Sequence, residues 1–170
     1  MKFLFTCTAL LSINSFSQNL VPNSSFEEVN EYYCGTFFSL DSSLETWTMP
    51  TTGAPLVYFT EIHDSCYNHQ PISTYSGPIG LKGSQAPHTG EVLVGLWSFT
   101  IDGLNQRQYV QIPLSSPLVS GEKYILSMYA SMGDSMEYAS DGIGMYLSTI
   151  APTSDLNEVL EHEPQLQATE

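Results

Sequence analysis

Basic side chains are scarce in this chain, which has only 4 Lys and Arg among 170 residues, against 18 Asp and Glu. The formal net charge of −14 repels phosphate backbones and argues against nucleic acid as a partner. Charged residues make up only 13% of the chain, whereas 42% of the residues are hydrophobic and 12% aromatic. Disordered chains are poor in both of these classes, so the composition indicates one folded domain with a core.

Long apolar runs are also missing, since a bilayer-spanning helix needs about 20 apolar residues. The nearest candidate is Phe3–Leu11, which follows the basic Lys2 and precedes the small residues of Ser15-Phe16-Ser17. This order is typical of a secretory signal. We therefore interpret residues 1–18 as a signal peptide and residues 19–170 as an exported domain; a buried N-terminal strand is the alternative. Cys7 lies too early for a lipoprotein cysteine, so no lipid anchor is predicted.

Catalytic motifs are absent: the sequence has neither a nucleophile elbow nor an HExxH motif. A glycosidase needs two placed carboxyl groups, and none of the acids lies in a recognisable motif of that kind. The segment with His63, Asp64, Cys66 and His69 offers zinc-ligand types, but their spacing matches no standard zinc framework. The sequence therefore predicts a protein that is not an enzyme.

Cysteines are few, and removal of the signal takes Cys7 away and leaves Cys34 and Cys66. An even pair in an exported chain favours a disulfide. The two positions differ by 66 − 34 = 32 residues. A bond closing a loop of that length would contribute roughly 3–4 kcal/mol in the chain-entropy model. Two buried thiols are the alternative.

The segment Asn19–Glu28 combines several structural signals. Leu20 and Val21 favour a strand, Pro22 stops it, and Asn23-Ser24-Ser25 favours a turn. Phe26 then supplies a large apolar side chain, and Glu27 and Glu28 supply carboxylates. Hard oxygen ligands of this kind suit Ca²⁺, so Glu27 and Glu28 are candidate calcium ligands. A solvated pair of carboxylates at a strand end is the alternative.

Short strand patterns dominate the rest of the chain and predict an all-β fold. The long stretch 61–88 is rich in Gly, Pro, Ser and His, and we interpret it as a functional loop. Ser154 is a candidate cap for a short helix over 155–161, and Gln165 begins a further strand pattern. The strand candidates are Leu56–Phe59, Val92–Phe99 (apolar on both faces, as in a central strand), Gln108–Leu114, Tyr124–Ser131 and Gly142–Ser148.

Three segments of the chain resemble motifs of a known family. The opening N-L-V-x-N-x-x-F-E at Asn19–Glu27, the pattern L-V-S-G-E-K-Y-I-L-S-M-Y-A at Leu118–Ala130, and Gly142–Ser148 are similar to motifs of carbohydrate-binding-module-like jelly rolls. These belong to the galactose-binding-domain-like group and occur at the N-terminus of OmpA-like or type IX-sorted surface proteins of Gram-negative bacteria. The resemblance covers most of residues 19–150.

The resemblance implies a jelly-roll β-sandwich that lacks its final strands in this chain and is followed by further domains. It also implies a structural calcium held by the Glu after the Phe, here Glu27, with a further ligand from a closing strand that the chain does not contain. Family cysteines occur at places similar to Cys34 and Cys66, the second of them after an aromatic pair that is Tyr58-Phe59 here.

Aromatic side chains are the candidate ligand-binding groups, because pyranose rings stack on flat aromatic faces while polar groups bind the hydroxyls. Filling the space between sheets is the alternative role for each of them. The sequence thus predicts an exported, surface or outer-membrane module that binds a glycan or another cell-envelope component. A structural or adhesion domain without sugar binding is the alternative. The candidates are Trp47, Tyr58, Tyr67, Tyr75 and Trp97, with Tyr32 and Tyr33 as additional ones.

Overall fold

The computed structural model describes residues 18–30, 38–59, 86–98, 100, 105–133, 140 and 142–167. Within them lie β1 (Phe38–Ser39), α1 (Leu40–Ser43), β2 (Leu56–Phe59), β3 (Val92–Gly95), β4 (Gly144–Met145) and β5 (Leu166–Gln167). Residues 1–17 of the predicted signal peptide 1–18 lie outside the described residues, as do Tyr32, Tyr33, Cys34, Cys66, Tyr67 and Tyr75. The disulfide therefore stays a prediction.

Two antiparallel sheets form the regular part of the described chain. The first has the order β1-β2-β3, and in it Val57 pairs with Val94 and Phe59 with Val92. The second pairs β4 with β5. The predicted strand at Leu56–Phe59 is confirmed at both ends, and β2, rather than the strand that begins at Val92, is the central strand of the three. Small antiparallel sheets and a single helical turn agree with the predicted all-β class.

The core lies on one face of the three-stranded sheet. Val57, Phe59 and Val92 alternate onto that face and are buried. The turn α1 covers them, because it turns Leu40 and the following Leu44 inward, where both are buried. Side chains that pack around this cluster come from more distant segments: Phe26, Val29, Trp47, Met49, Val94 and Val110.

Isolated backbone bridges connect the irregular segments to this core. Val29 bridges to Leu44, and Thr48 and Gln111 exchange two hydrogen bonds of 2.9 Å. Only Gln111 of the predicted strand Gln108–Leu114 therefore takes part in a β-bridge among the described residues. The backbone N–H of Ser115 also donates to Leu20 O at 2.9 Å, which joins the Asn19–Glu28 segment to the second half of the chain.

The short helix expected over 155–161 is wrong. Residues 155–158 form bends, although Ser154 Oγ does accept the N–H of Leu156 at 3.2 Å. The reason is that other acceptors replace the helical ones. Leu160 donates its N–H to the hydroxyl of Tyr109 at 3.1 Å, and His162 donates to Leu160 O at 2.9 Å. Tertiary contacts thus override a local helix signal.

The stretch from Glu122 to Gly133 has neither helix nor strand pairing in the structure, in contrast to the strand predicted there. Its apolar side chains face solvent, and Ile125 is 97% exposed. In the described part of the chain, no helix is long and apolar enough to span a bilayer.

Candidate functional site

The face of the three-stranded sheet opposite the core is only partly buried, and we call it the open face. Leu56, Tyr58 and Leu93 lie on it and are only partly buried. The register pairs Ser39 with Leu56, so the side chain of Ser39 is directed to the same face. None of the residues of β1, β2 and β3 is charged, although the whole chain carries −14. This face is therefore a neutral patch on a strongly acidic protein.

Tyr58 is the main aromatic group of this open face, and Gly95 is the reason it can lie there. A Cβ atom on residue 95 would come within 2.6 Å of Tyr58 Cε2, so the ring lies directly over the glycine. Desolvation by burial raises the pKa of Tyr58 above its usual value of 10.0. A ring in contact with backbone on one side cannot rotate freely, and its orientation is fixed before any ligand binds.

Trp97 follows the end of β3 by two residues, and strand alternation continued past Gly95 would direct it to the same face as Leu93. Its side chain is 37% exposed. Two hydrogen bonds to Gln108 hold its backbone: the side-chain Oε1 accepts the N–H of Trp97 at 2.8 Å, and the Gln108 N–H donates to Trp97 O at 3.0 Å.

Gln108 also anchors Trp97 to the strand that carries Tyr58. Its Nε2 donates to Ala54 O at 2.8 Å, two residues before β2 begins. The Tyr58 strand and the Trp97 backbone are thus connected through a single amide group. No pattern in the sequence indicates that Gln108 connects these two segments, because it is one of several polar residues in an alternating stretch.

Trp47 lies apart from these two aromatic groups and packs against the core. Its ring lies 4.9 Å from that of Phe26, centroid to centroid, at an angle of 46°. Its Nε1 donates to Asn23 O at 2.9 Å. The structure therefore places Tyr58 on the open face and Trp47 in the packing of the Asn19–Glu28 segment, and it links the Trp97 backbone to the segment before β2 through Gln108.

That segment owes its shape to the Asn23 side chain. Asn23 Nδ2 donates to Glu28 O, and Asn23 Oδ1 accepts the Glu28 N–H, both at 2.9 Å. Asn23 and Phe26 both have positive φ, at 42° and 65°, and the Phe26 N–H donates to Asn23 O at 3.1 Å. The Asn23 side chain is thus buried, and both its amide nitrogen and its amide oxygen are hydrogen-bonded to the backbone of Glu28.

Glu27 connects the same segment to β3. Its Oε1 accepts the N–H groups of Glu91 and Val92 at 3.0 and 3.1 Å. Gly90 lies beside the carboxylate with φ 70°, and a side chain there would collide with it. The carboxylate therefore fixes the turn that leads into β3.

The described residues contain no group of three or more His, Cys, Asp or Glu side chains that could hold a metal ion. Ca²⁺ takes six to eight oxygen ligands, and hydrogen bonds to two backbone groups already occupy Glu27 Oε1. The donor set described around Glu27 does not fit a complete calcium site. Calcium at Glu27 stays a prediction.

Comparison with known proteins adds no assignment: no family model, no curated protein and no solved structure matches this chain.

Proposed function

We propose that this chain is an exported, non-catalytic module that binds a neutral glycan on the open sheet face, with Tyr58 and Trp97 as stacking groups. The observation that carries the proposal is the arrangement of Tyr58 over Gly95, together with an exposed Trp97 whose backbone Gln108 connects to the segment before β2. Pyranose rings stack their C–H groups on such rings. The uncharged strands suit a neutral ligand.

The resemblance of Asn19–Glu27, Leu118–Ala130 and Gly142–Ser148 to carbohydrate-binding-module-like jelly rolls supports the same function. Under this proposal the two antiparallel sheets belong to a jelly-roll sandwich, and the module works at the cell surface or outer membrane as part of a longer protein. A disulfide between Cys34 and Cys66 is part of the same proposal, and a structural calcium at Glu27 would need further ligands from outside the described residues.

A glycan array tests the function. The full chain should bind one class of neutral oligosaccharide, and Tyr58→Ala should lose most of that signal. Tyr146→Ala is the matched control, because Tyr146 is an exposed tyrosine that directly follows β4 and is not part of the three-stranded sheet. Absence of any glycan signal from a folded wild-type chain would reject the proposal.

One observation favours the alternative of an adhesion or structural domain. Apolar side chains are exposed along one continuous stretch of the sequence, a pattern that marks surfaces covered by another protein. The alternative predicts concentration-dependent self-association or capture of a protein partner, with no change when Tyr58 is replaced. The residues are Leu118, Val119, Tyr124, Ile125, Met128, Tyr129 and Met132.

A further inference from the structure

Tyr129 is the most exposed aromatic side chain of the described residues, at 77%. It is nevertheless held in one orientation, because its ring stacks on His88 with a centroid distance of 3.5 Å and an interplanar angle of 12°. One face of the phenol ring is therefore covered by imidazole, and the other is open to solvent. An exposed tyrosine with this geometry offers a flat surface for a ligand. Because the stack already holds the ring, ligand binding loses less side-chain conformational entropy.

His88 is itself fixed by the turn that leads into β3. The turn has its left-handed residue at Gly90, and the N–H groups of Glu91 and Val92 donate to Glu27. The stack thus rests on an anchored segment rather than on a free loop.

The surroundings of Tyr129 indicate the chemistry of a ligand. Residues 124–133 contain no charged side chain, in a chain with a net charge of −14. Ser127 and Ser131 are exposed and lie two residues on either side of Tyr129. In an extended backbone they share its face, about 7 Å away along the chain. A ring flanked by hydroxyl groups offers stacking together with hydrogen bonds, which is what a sugar ring requires.

We propose that Tyr129, held in place by His88, is a second stacking platform for a neutral pyranose, separate from the Tyr58 and Trp97 face. This inference rests on the proposed glycan-binding function. The two platforms lie toward opposite ends of β3, because His88 precedes Val92 and Trp97 follows Gly95. A long glycan that engages both binds more tightly than a short one, since the second contact is then intramolecular.

A second stacked pair provides an internal comparison. Tyr146 stacks on His162 at 4.6 Å and 4°, but its side chain is only 40% exposed. Its free ring surface is therefore smaller than that of Tyr129, and the proposal assigns no binding to it. Tyr146→Ala is the matched control for Tyr129→Ala.

The experiment is calorimetric titration of the full chain with neutral cello-, xylo- and manno-oligosaccharides of increasing length, together with the corresponding polysaccharides. Tyr129→Ala should weaken binding of the longest ligand about 3- to 10-fold, the range expected for one aromatic contact. Short ligands at the Tyr58 face should be unaffected. Tyr129→Phe should bind like wild type, because the ring and its stacking face remain.

His88 is a positioning residue, and a conservative variant separates its role from a merely structural one. His88→Ala should weaken long-ligand binding as Tyr129→Ala does, whereas His88→Phe should restore it by renewing the stack. The ring resonances of Tyr129 should shift on addition of long ligand.

The outcomes separate the two proposals. If Tyr58→Ala abolishes binding while Tyr129→Ala changes nothing at any ligand length, the second platform is rejected and the glycan-binding function stands. If the folded wild type binds none of these sugars, both are rejected. An effect of Tyr129→Ala on self-association or peptide binding alone would also overturn the platform.

Discussion

The ring of Tyr58 lies over the backbone of Gly95, so closely that a Cβ atom on residue 95 would be 2.6 Å from Tyr58 Cε2. These residues stand on neighbouring strands, where Leu56 is the direct partner of Gly95 and Tyr58 is its diagonal neighbour. The contact leaves the core face unchanged and shapes only the open one. It gives the proposed site a feature that can be altered without removing an aromatic ring.

Gly95→Ala should displace the Tyr58 ring and weaken glycan binding about tenfold, the loss expected for one stacking contact. The free energy of unfolding should fall by no more than about 1 kcal/mol, because the new methyl group lies outside the core and a strand tolerates Ala. Titration calorimetry and urea unfolding measure the two effects. Unchanged affinity with an unmoved Tyr58 ring in the variant's crystal structure would contradict the proposed role of Gly95.

The Asn23 amide should contribute more to stability than its place in a surface turn suggests. Asn23→Ala leaves the N–H and C=O of Glu28 without their partners and should lower the free energy of unfolding by about 1–3 kcal/mol.

Trp47→Phe keeps most of the packing but loses the hydrogen bond to Asn23 O, and it should lower the free energy of unfolding by about 1–2 kcal/mol. Urea unfolding checks both values, with Ser24→Ala as a control that removes only an exposed bond to Asn19.

Substitution of Glu27 distinguishes two roles of its carboxylate, which are hydrogen bonding to the turn before β3 and calcium binding. If its role is to hold Glu91 and Val92, Glu27→Gln should lower the melting temperature by the same amount in calcium and in EDTA, because an amide oxygen is a weaker acceptor than a carboxylate. If it binds calcium, the wild type should melt higher in calcium and the variant should lose that gain.

Glu28→Gln is the control for this pair of accounts, because the Asn23 contacts of Glu28 involve its backbone alone. Calorimetry with and without EDTA distinguishes the accounts. A wild-type melting temperature that is independent of calcium would leave the hydrogen-bonding role as the one supported.

Tyr58 should also give the protein a distinct alkaline transition. Burial raises its pKa above 10.0, so the folded state binds this proton more tightly than the unfolded state does. The corresponding stability is fully present below pH 10 and is lost as pH rises through the folded pKa. Ultraviolet titration should show a tyrosine that ionises above the usual pKa of 10.0, and Tyr58→Phe should remove that transition. The same late transition in the variant would show that another tyrosine is responsible.

The sequence predicted local features well where the physical cause is local. The alternation and β-branching around Leu56–Phe59 indicated β2, and the short polar side chains at Asn23–Ser25 indicated a turn. What it did not predict depends on distant partners. Glu27 reaches Glu91 across 64 positions, and Gln108 reaches Ala54 across 54, and no local pattern encodes either contact.

The same distinction explains the errors. Ser154 carries a valid capping signal, yet Tyr109 takes the N–H of Leu160 from 51 residues away. Trp47 and Trp97 look equivalent as isolated aromatics in the sequence. Only the hydrogen bond from Trp47 to Asn23 assigns Trp47 to packing, whereas the Trp97 side chain is exposed and its backbone is bonded to Gln108.

A double-mutant cycle on Tyr58 and Trp97 tests the central claim most directly. Titration of the wild type, Tyr58→Ala, Trp97→Ala and the double variant with the glycan selected on the array gives their coupling. If both rings stack on one bound sugar chain, each single variant should lose about tenfold in affinity, and the double variant should lose binding, with all four proteins folded. Wild-type affinity in folded Tyr58→Ala and Trp97→Ala would show that the open face does not bind the glycan.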